Sequence, residues 1–151
     1  MRYFIQLSLV LALTFILSSG TVVDHTSLGG QLSVIVNCNS APTDLDLNNL
    51  KSVLKGEKLR WKDGTKITLA FMKTSTDIGA DMSSRIFGMT EKELNRYFLA
   101  KVFEGMSSPE FFDSESELLT FVNNTKGAIG VINSEKSKGF KTISIDGKNS
   151  F

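Results

Sequence analysis

The sequence of 151 residues holds one cysteine, Cys38, one histidine, His25, and one tryptophan, Trp61. A lone cysteine excludes an internal disulfide. One histidine and one cysteine leave no ligand set for a zinc or other transition-metal site. They also leave no Ser-His-Asp or Cys-His arrangement for nucleophilic catalysis. The chain has neither a Walker loop nor a Gly-x-Gly-x-x-Gly turn, so both common phosphate cradles of nucleotide sites are missing. No Lys/Arg block stands out, which removes the electrostatic footprint of a nucleic-acid or anionic-membrane partner. The carboxylates fall mainly at helix starts, where capping and the helix dipole account for them. These absences point away from an enzyme, and no cofactor or metal is expected.

The N-terminus is apolar. Residues 1–20 carry one charge, Arg2, then an apolar core from Leu7 to Leu17, then Ser18-Ser19-Gly20. That is the layout of a secretory signal peptide. The core falls short of the roughly 20 residues of a membrane span. Cleavage is therefore expected, with a retained anchor as the alternative, and no membrane insertion of the mature chain. The whole chain has 17 basic and 16 acidic groups, and loss of Arg2 balances them. Residues 21–30 read as a flexible leader containing His25, and residues 31–151 as one domain.

Along the domain, Gln31–Asn37 is a short run rich in β-branched residues, read as a buried strand. Cys38 at its end reads as a small buried hydrophobe. After the turn cluster Asn39–Thr43, Asp44 or Asp46 caps a helix with Leu47, Leu50 and Leu54 inward, closed by Gly56. Trp61 is expected to cover the seam between the following loop and the sheet. Thr90-Glu91-Lys92-Glu93 is a capping box opening a helix to about Glu104. Its apolar face would be Leu94, Tyr97, Phe98 and Val102, with Phe103 off that stripe. Ser107-Ser108-Pro109 starts a loop carrying Phe111-Phe112, which either folds back on the core or forms a partner patch. Ser114 and Glu117 make a second capping box, with Leu118, Leu119 and Val122 inward. Gly127–Ile132 reads as a buried strand whose glycines permit close backbone approach. Phe140–Ile145 is a last strand. The order β-α-loop-β-α-α-α-β-β argues an α/β sheet flanked by helices.

The stretch with most chemical promise is Thr65–Gly88. Thr65, Ile67, Leu69 and Phe71 alternate with Lys66, Thr68 and Ala70, the pattern of a half-buried strand. The polar run Lys73-Thr74-Ser75-Thr76-Asp77 follows. Ile78, Met82 and Ile86 then recur at helical spacing, and Gly88 is placed to stop the helix. Hydroxyls fed from a strand into a helix start make a ready anion site, because the first helical N–H groups lack internal partners. Lys73, Thr74, Ser75 and Thr76 are the candidate oxyanion ligands; a capped helix that binds nothing is the competing reading.

Five phrases in order, LSVIVNCNS, LNNLKSVLKGEKLRWKDGTKITLAF, IFGMTEKELNRYF, NNTKGAIGVIN and FKTISIDG, resemble the phosphate-type substrate-binding proteins of bacterial ABC transporters. The likeness is to short, single-lobe relatives within the periplasmic-binding-protein-like superfamily, type 2, and spans roughly residues 32–147. It implies an α/β fold, a single periplasmic-binding-protein-like lobe with a mixed sheet flanked by helices. It implies export to the periplasm, or secretion. It places Thr76 on the serine of the family's Arg-x-x-Gly-Ser-Gly-Thr phosphate segment, Ser75 on the preceding glycine, and Ile78 on the threonine. Met72 falls where that arginine stands, with Lys73 next to it. The other lobe's glycine-rich phosphate loop has no counterpart. The resemblance thus implies a solute-binding-like protein with weak or altered binding of phosphate or another small oxyanion. It also implies an ABC permease or another periplasmic protein as partner. A non-transport interaction or scaffold protein on the same lobe is the alternative.

Overall fold

The computed structural model describes residues 30–151. The expected signal peptide, most of the leader and His25 lie outside the described residues. Among the described residues, six strands form one mixed sheet, and four α-helices pack on its two faces.

Leu32–Val36 forms β1, with all five residues buried. A run broken only by Ser33, whose hydroxyl donates to Asn149 O at 2.8 Å, suits a strand covered on both faces. Asp44–Leu45 is a two-residue strand, β2, and Asp46 caps helix α1, Leu47–Leu54. The Asp46 carboxylate accepts from the Asn49 N–H at 2.8 Å. Leu50, Val53 and Leu54 face the core, while Leu47 is half-buried.

The next strand, β3, spans Thr68–Met72. It is buried on both faces rather than half-buried. Ile67, Leu69 and Phe71 join the larger apolar cluster with Leu50, Leu94 and Phe98. Ala70 and Met72 join the smaller one with Leu118 and Val122. The alternation in sequence therefore separates two cores and does not separate core from solvent. Helix α2 covers Asp77–Asp81, and Met82–Phe87 continues it as a wider π-type turn. That widening turns Met82, Ser83, Ile86 and Phe87 inward together, more than one stripe of an α-helix presents. Gly88 ends it with φ 65°, the left-handed conformation expected of it.

Helix α3, Glu91–Phe103, carries the full capping box between Thr90 and Glu93. Its buried residues are Leu94 and Phe98. Val102, expected on the apolar face, is 38% exposed. Phe111 and Phe112 are not in a loop. They belong to a three-residue strand, β4, Glu110–Phe112. Successive strand residues point to opposite faces, so Phe111 packs on the larger cluster and Phe112 on the smaller. Helix α4, Glu115–Asn124, is capped by Ser114, which accepts from the Glu117 N–H. Ala128–Asn133 is β5 and Lys141–Ile145 is β6.

The strand order is β2-β6-β1-β5-β3-β4. Central β5 runs antiparallel to β1 and parallel to β3, which runs parallel to β4. Gly127 and Gly130 of the β5 region are tight, as expected. A Cβ on Gly127 would lie 2.1 Å from Lys66 O, and one on Gly130 2.9 Å from a Leu118 methyl. Trp61 is buried over the seam, and its Nε1–H donates to Gly127 O at 3.0 Å.

Candidate functional site

The end of β3 hands the chain to α2 through Lys73–Thr76. Lys73 N–H still belongs to the sheet and donates to Phe112 O at 2.9 Å. The chain then turns, with Thr76 N–H donating to Lys73 O at 2.9 Å. Helix α2 crosses the strand end so closely that a Cβ on Gly79 would lie 2.0 Å from Lys73 O. This glycine is needed for space, not for an unusual dihedral.

Lys73, Thr74 and Ser75 line one shallow cleft of about 430 Å³ together with Asn95 and Phe111. Thr76 does not line it. Its hydroxyl donates to Lys73 O at 2.8 Å and accepts from the Gly79 N–H at 3.1 Å, so it serves as the helix cap. Thr74 is buried, and its hydroxyl oxygen accepts from Asn95 Nδ2 at 2.9 Å. Ser75 is exposed. Lys73 Nζ sits 2.6 Å from a carboxylate oxygen of Asp113, both side chains being largely in solvent.

Two forces compete for an anion in this cleft. Of the first helical N–H groups, Thr76 takes that of Gly79, which leaves those of Asp77 and Ile78 without an intrahelical partner. Asp77 and Ile78 do not line the cleft, so the groups in it that favour an oxyanion are Lys73 and the Ser75 hydroxyl, with the helix start nearby. Asp77 in the first turn and Asp113 on Lys73 oppose it. The Lys73–Asp113 pair is exposed and worth about 0–1 kcal/mol, so a ligand displaces it at small cost. Among the described residues, no group of three or more His, Cys, Asp or Glu is placed to hold a metal.

Sequence reasoning missed Asn95, Asp113 and Phe111. Asn95 and Phe111 line the cleft from α3 and β4, and Asp113, just past β4, pairs with Lys73; nothing local in the sequence marks them as neighbours of residues 73–75. A larger cavity, about 600 Å³, lies at the other end of β3 among Lys58, Arg60, Lys66, Lys101 and Met106. Three of its cations are engaged, Arg60 with Gly64 O at 2.8 Å, Lys66 with Ser107 at 3.0 Å and Lys101 with Glu104 at 2.6 Å. It has no helix start beside it, so the junction remains the stronger anion candidate.

No protein-family model matches the chain, and no curated protein matches it in sequence. Solved structures do match in shape. An ABC-type phosphate transport receptor from Vibrio cholerae superposes with TM-score 0.63 at 19% identity, covering 81% of this chain and 49% of its own. A putative phosphate ABC transporter substrate-binding protein from Clostridium perfringens, solved with bound phosphate, gives 0.60 at 18%, covering 79% and 46%. A phosphate-binding protein from Stenotrophomonas maltophilia gives 0.58 at 10%, covering 78% and 39%. The chain thus spans about half the length of the structures it matches or less, and over that part it shares their α/β fold. The mixed sheet flanked by helices agrees with the expectation from sequence. These three proteins are named as a phosphate transport receptor, a phosphate ABC transporter substrate-binding protein and a phosphate-binding protein. Among the described residues, no helix is long and apolar enough to cross a membrane.

Proposed function

We propose that this chain is an exported, periplasmic solute-binding-like protein that takes phosphate or a related small oxyanion weakly at the β3–α2 junction. The observation that carries the reading is the cleft itself. On a fold shared with phosphate-binding proteins, Lys73, Thr74 and Ser75 line one cleft beside a helix start. Lys73 supplies the charge, the Ser75 hydroxyl supplies a donor, and Thr76 holds the nearby helix start in place. Thr74 supports the cleft wall through Asn95. An ABC permease or another periplasmic protein is the partner this reading implies. One open wall leaves the anion in contact with water, and Asp113 competes for Lys73. Affinity is therefore expected in the millimolar range, about −4 kcal/mol.

Calorimetric titration of the full chain with phosphate and with sulfate tests this. Lys73→Ala should abolish the heat. Asp113→Ala should strengthen binding by about 2–5-fold, because it removes a competing exposed ion pair. Absence of heat with either anion, in both wild type and Asp113→Ala, sinks the proposal. A second reading, a non-transport interaction or scaffold protein on the same lobe, is favoured by the exposed apolar side chains Leu99, Val102 and Phe103 on α3.

A further inference from the structure

We infer that the larger cavity, at the start of β3, binds the last unit of a peptide or an N-acyl amino acid. The chemistry it takes is an amide N–H followed by an α-carboxylate, laid along an open length of the β3 edge. No phosphate enters this inference, and it stands whether or not the junction binds an anion.

The cavity holds about 600 Å³, within the size range of small-molecule sites. Its floor is the edge of β3 with Ile67 just before it. The N–H and C=O of one strand residue point the same way, and successive residues alternate. Thr68 N–H donates to Gly127 O, on the β5 side. Ile67 N–H donates to Leu59 O and Lys73 N–H to Phe112 O, so the odd-numbered residues face the other side. On that side β4 pairs only from Ala70 onward, where Glu110 stands opposite. Ile67 C=O and Leu69 N–H therefore face the cavity, in the gap between Leu59 and Glu110. Among the described residues no backbone group bonds either of them. The two nearby serine hydroxyls are engaged elsewhere, Ser107 with Lys66 and Ser108 with Pro109 O. Ile67 and Leu69 are each 7% exposed, and buried backbone groups left without a partner are rare.

The gap selects its occupant. In a parallel ladder, one residue donates its N–H to the C=O before its partner and accepts from the N–H after it. One unit opposite Thr68 thus bonds both Ile67 C=O and Leu69 N–H. β4, run backward from Glu110, would set Ser108 in that place. Pro109 intervenes, and no backbone bond joins Ser108 to Ile67 or Leu69. Three strand steps, about 10 Å, separate Ile67 from Ala70, which leaves room for one such unit. Its carbonyl end runs into β4 at Glu110, so the ligand chain must end there, as a carboxylate. An antiparallel ligand would need three residues to reach the same two groups.

Charge and shape agree with that occupant. Lys101 and Glu104 of the cavity wall pair with each other. Lys55, Lys58, Arg60 and Lys66 then stand against Glu57 and Glu110, which leaves the wall net positive. Arg60 and Lys66 bond neutral oxygens and keep their charge. Leu59 holds the place opposite Ile67, since Arg60 bridges Lys66. The group on the ligand nitrogen must therefore leave the edge there, where it meets Met106 and the Leu59 side chain, 63% exposed. Strand addition of this kind draws affinity from main-chain bonds, and a terminal carboxylate adds a charge-assisted one.

Amide hydrogen exchange of the full chain is the first test. Leu69 N–H should exchange at least about tenfold faster than those of Thr68 and Ala70, which face β5. Titration of isotope-labelled protein with N-acetyl-leucine should then shift the Leu69 amide saturably and slow its exchange. N-acetyl-leucine amide, which lacks the carboxylate, should bind at least about fivefold more weakly. Acetyl-Ala-Ala-Leu separates the two sources: tighter binding than N-acetyl-leucine assigns the site to peptide C-termini, and equal or weaker binding to N-acyl amino acids. Lys58→Glu and Ser108→Trp replace exposed side chains and should leave the melting curve unchanged. The first should weaken N-acetyl-leucine by about fivefold or more, and the second should abolish its binding by filling the gap. Slow exchange of Leu69 in the free chain overturns the inference, because the chain itself would then occupy the gap. So does the absence of any shift up to about 20 mM of either acid, shifts confined to Lys73–Thr76, equal affinity for the amide, or binding indifferent to both substitutions.

Discussion

Gly79→Ala puts the geometry of the junction under a test in which two well-characterised effects oppose each other. Gly79 lies in the first turn of α2, at an ordinary helical dihedral. Helix propensity alone makes alanine better there by about 1 kcal/mol. The added Cβ, however, would stand 2.0 Å from Lys73 O, 2.6 Å from Lys73 C and 3.0 Å from Met72 O. Comfortable heavy-atom separations begin near about 3.5 Å. The obstructing atoms are strand backbone, which cannot rotate aside as a side-chain end can, so the whole helix start must lift by more than about 1 Å. Overpacking of this kind costs about 1–3 kcal/mol, and a rigid backbone obstacle puts this case at the upper end. The lift also weakens the Thr76 cap, whose acceptor oxygen bonds the Gly79 N–H. The net expectation is a loss of about 2 kcal/mol.

Urea unfolding followed by far-ultraviolet circular dichroism measures it. The midpoint should fall with an unchanged slope, and Tm should drop by about 5–10 °C. Ala80→Gly, one residue on, supplies the comparison. There only propensity acts, and the cost should be about 1 kcal/mol. If Gly79→Ala proves as stable as the parent or more stable, α2 does not cross the end of β3 at the distance seen here. The cleft lined by Lys73–Ser75 would then need redrawing.

Two further outcomes follow from hydrogen bonds elsewhere. The Asn49 backbone N–H, and then its side chain, hold the Asp46 carboxyl below the usual carboxylate range, as the Thr65 N–H does for Asp63 and the Thr90 N–H for Glu93. Groups with lowered folded-state values add stability that is present above the usual range and lost as pH falls through the lowered one. Tm should therefore fall on acidification, and Asp46→Asn, which keeps a capping oxygen, should flatten that fall while retaining most of the stability at neutral pH. Equal acid slopes for the two proteins, read from melts across pH, would contradict this. Lys141 Nζ donates to the carbonyls of Cys38, Asn39 and Ala41 at 2.9, 3.0 and 2.8 Å, tying β6 to the turn after β1. Lys141→Met should cost about 2 kcal/mol in urea unfolding, and a loss within error of zero would mean that water replaces the ammonium without penalty.

The helix starts were legible because a cap is a local event. Asp46, Thr90 and Ser114 each bond an N–H three residues on, and the residues involved are neighbours in sequence. Glycines were legible for the same cause: Gly88 at a positive φ, and Gly127 both at a positive φ and against Lys66 O. The buried strands β1 and β5 were legible as apolar runs. β2 and β4 were not, because two or three residues are too few to show a period, and their pairing comes from strands distant in sequence. The split of Phe111 from Phe112 follows from the same unseen strand.

For the candidate site, the sequence by itself placed Lys73, Thr74, Ser75 and Thr76 at a strand-to-helix junction, since a change of hydrophobic period is written in consecutive residues. Only the tertiary structure decided what Lys73, Thr74 and Ser75 do there. The Thr76 cap is local, but tertiary packing buried Thr74 against Asn95, set Asp113 on Lys73, and left Ser75 open to solvent. It also turned Leu99, Val102 and Phe103 outward. Those outcomes depend on which elements the sheet brings side by side, and contacts between residues far apart in the chain leave no mark on the local pattern.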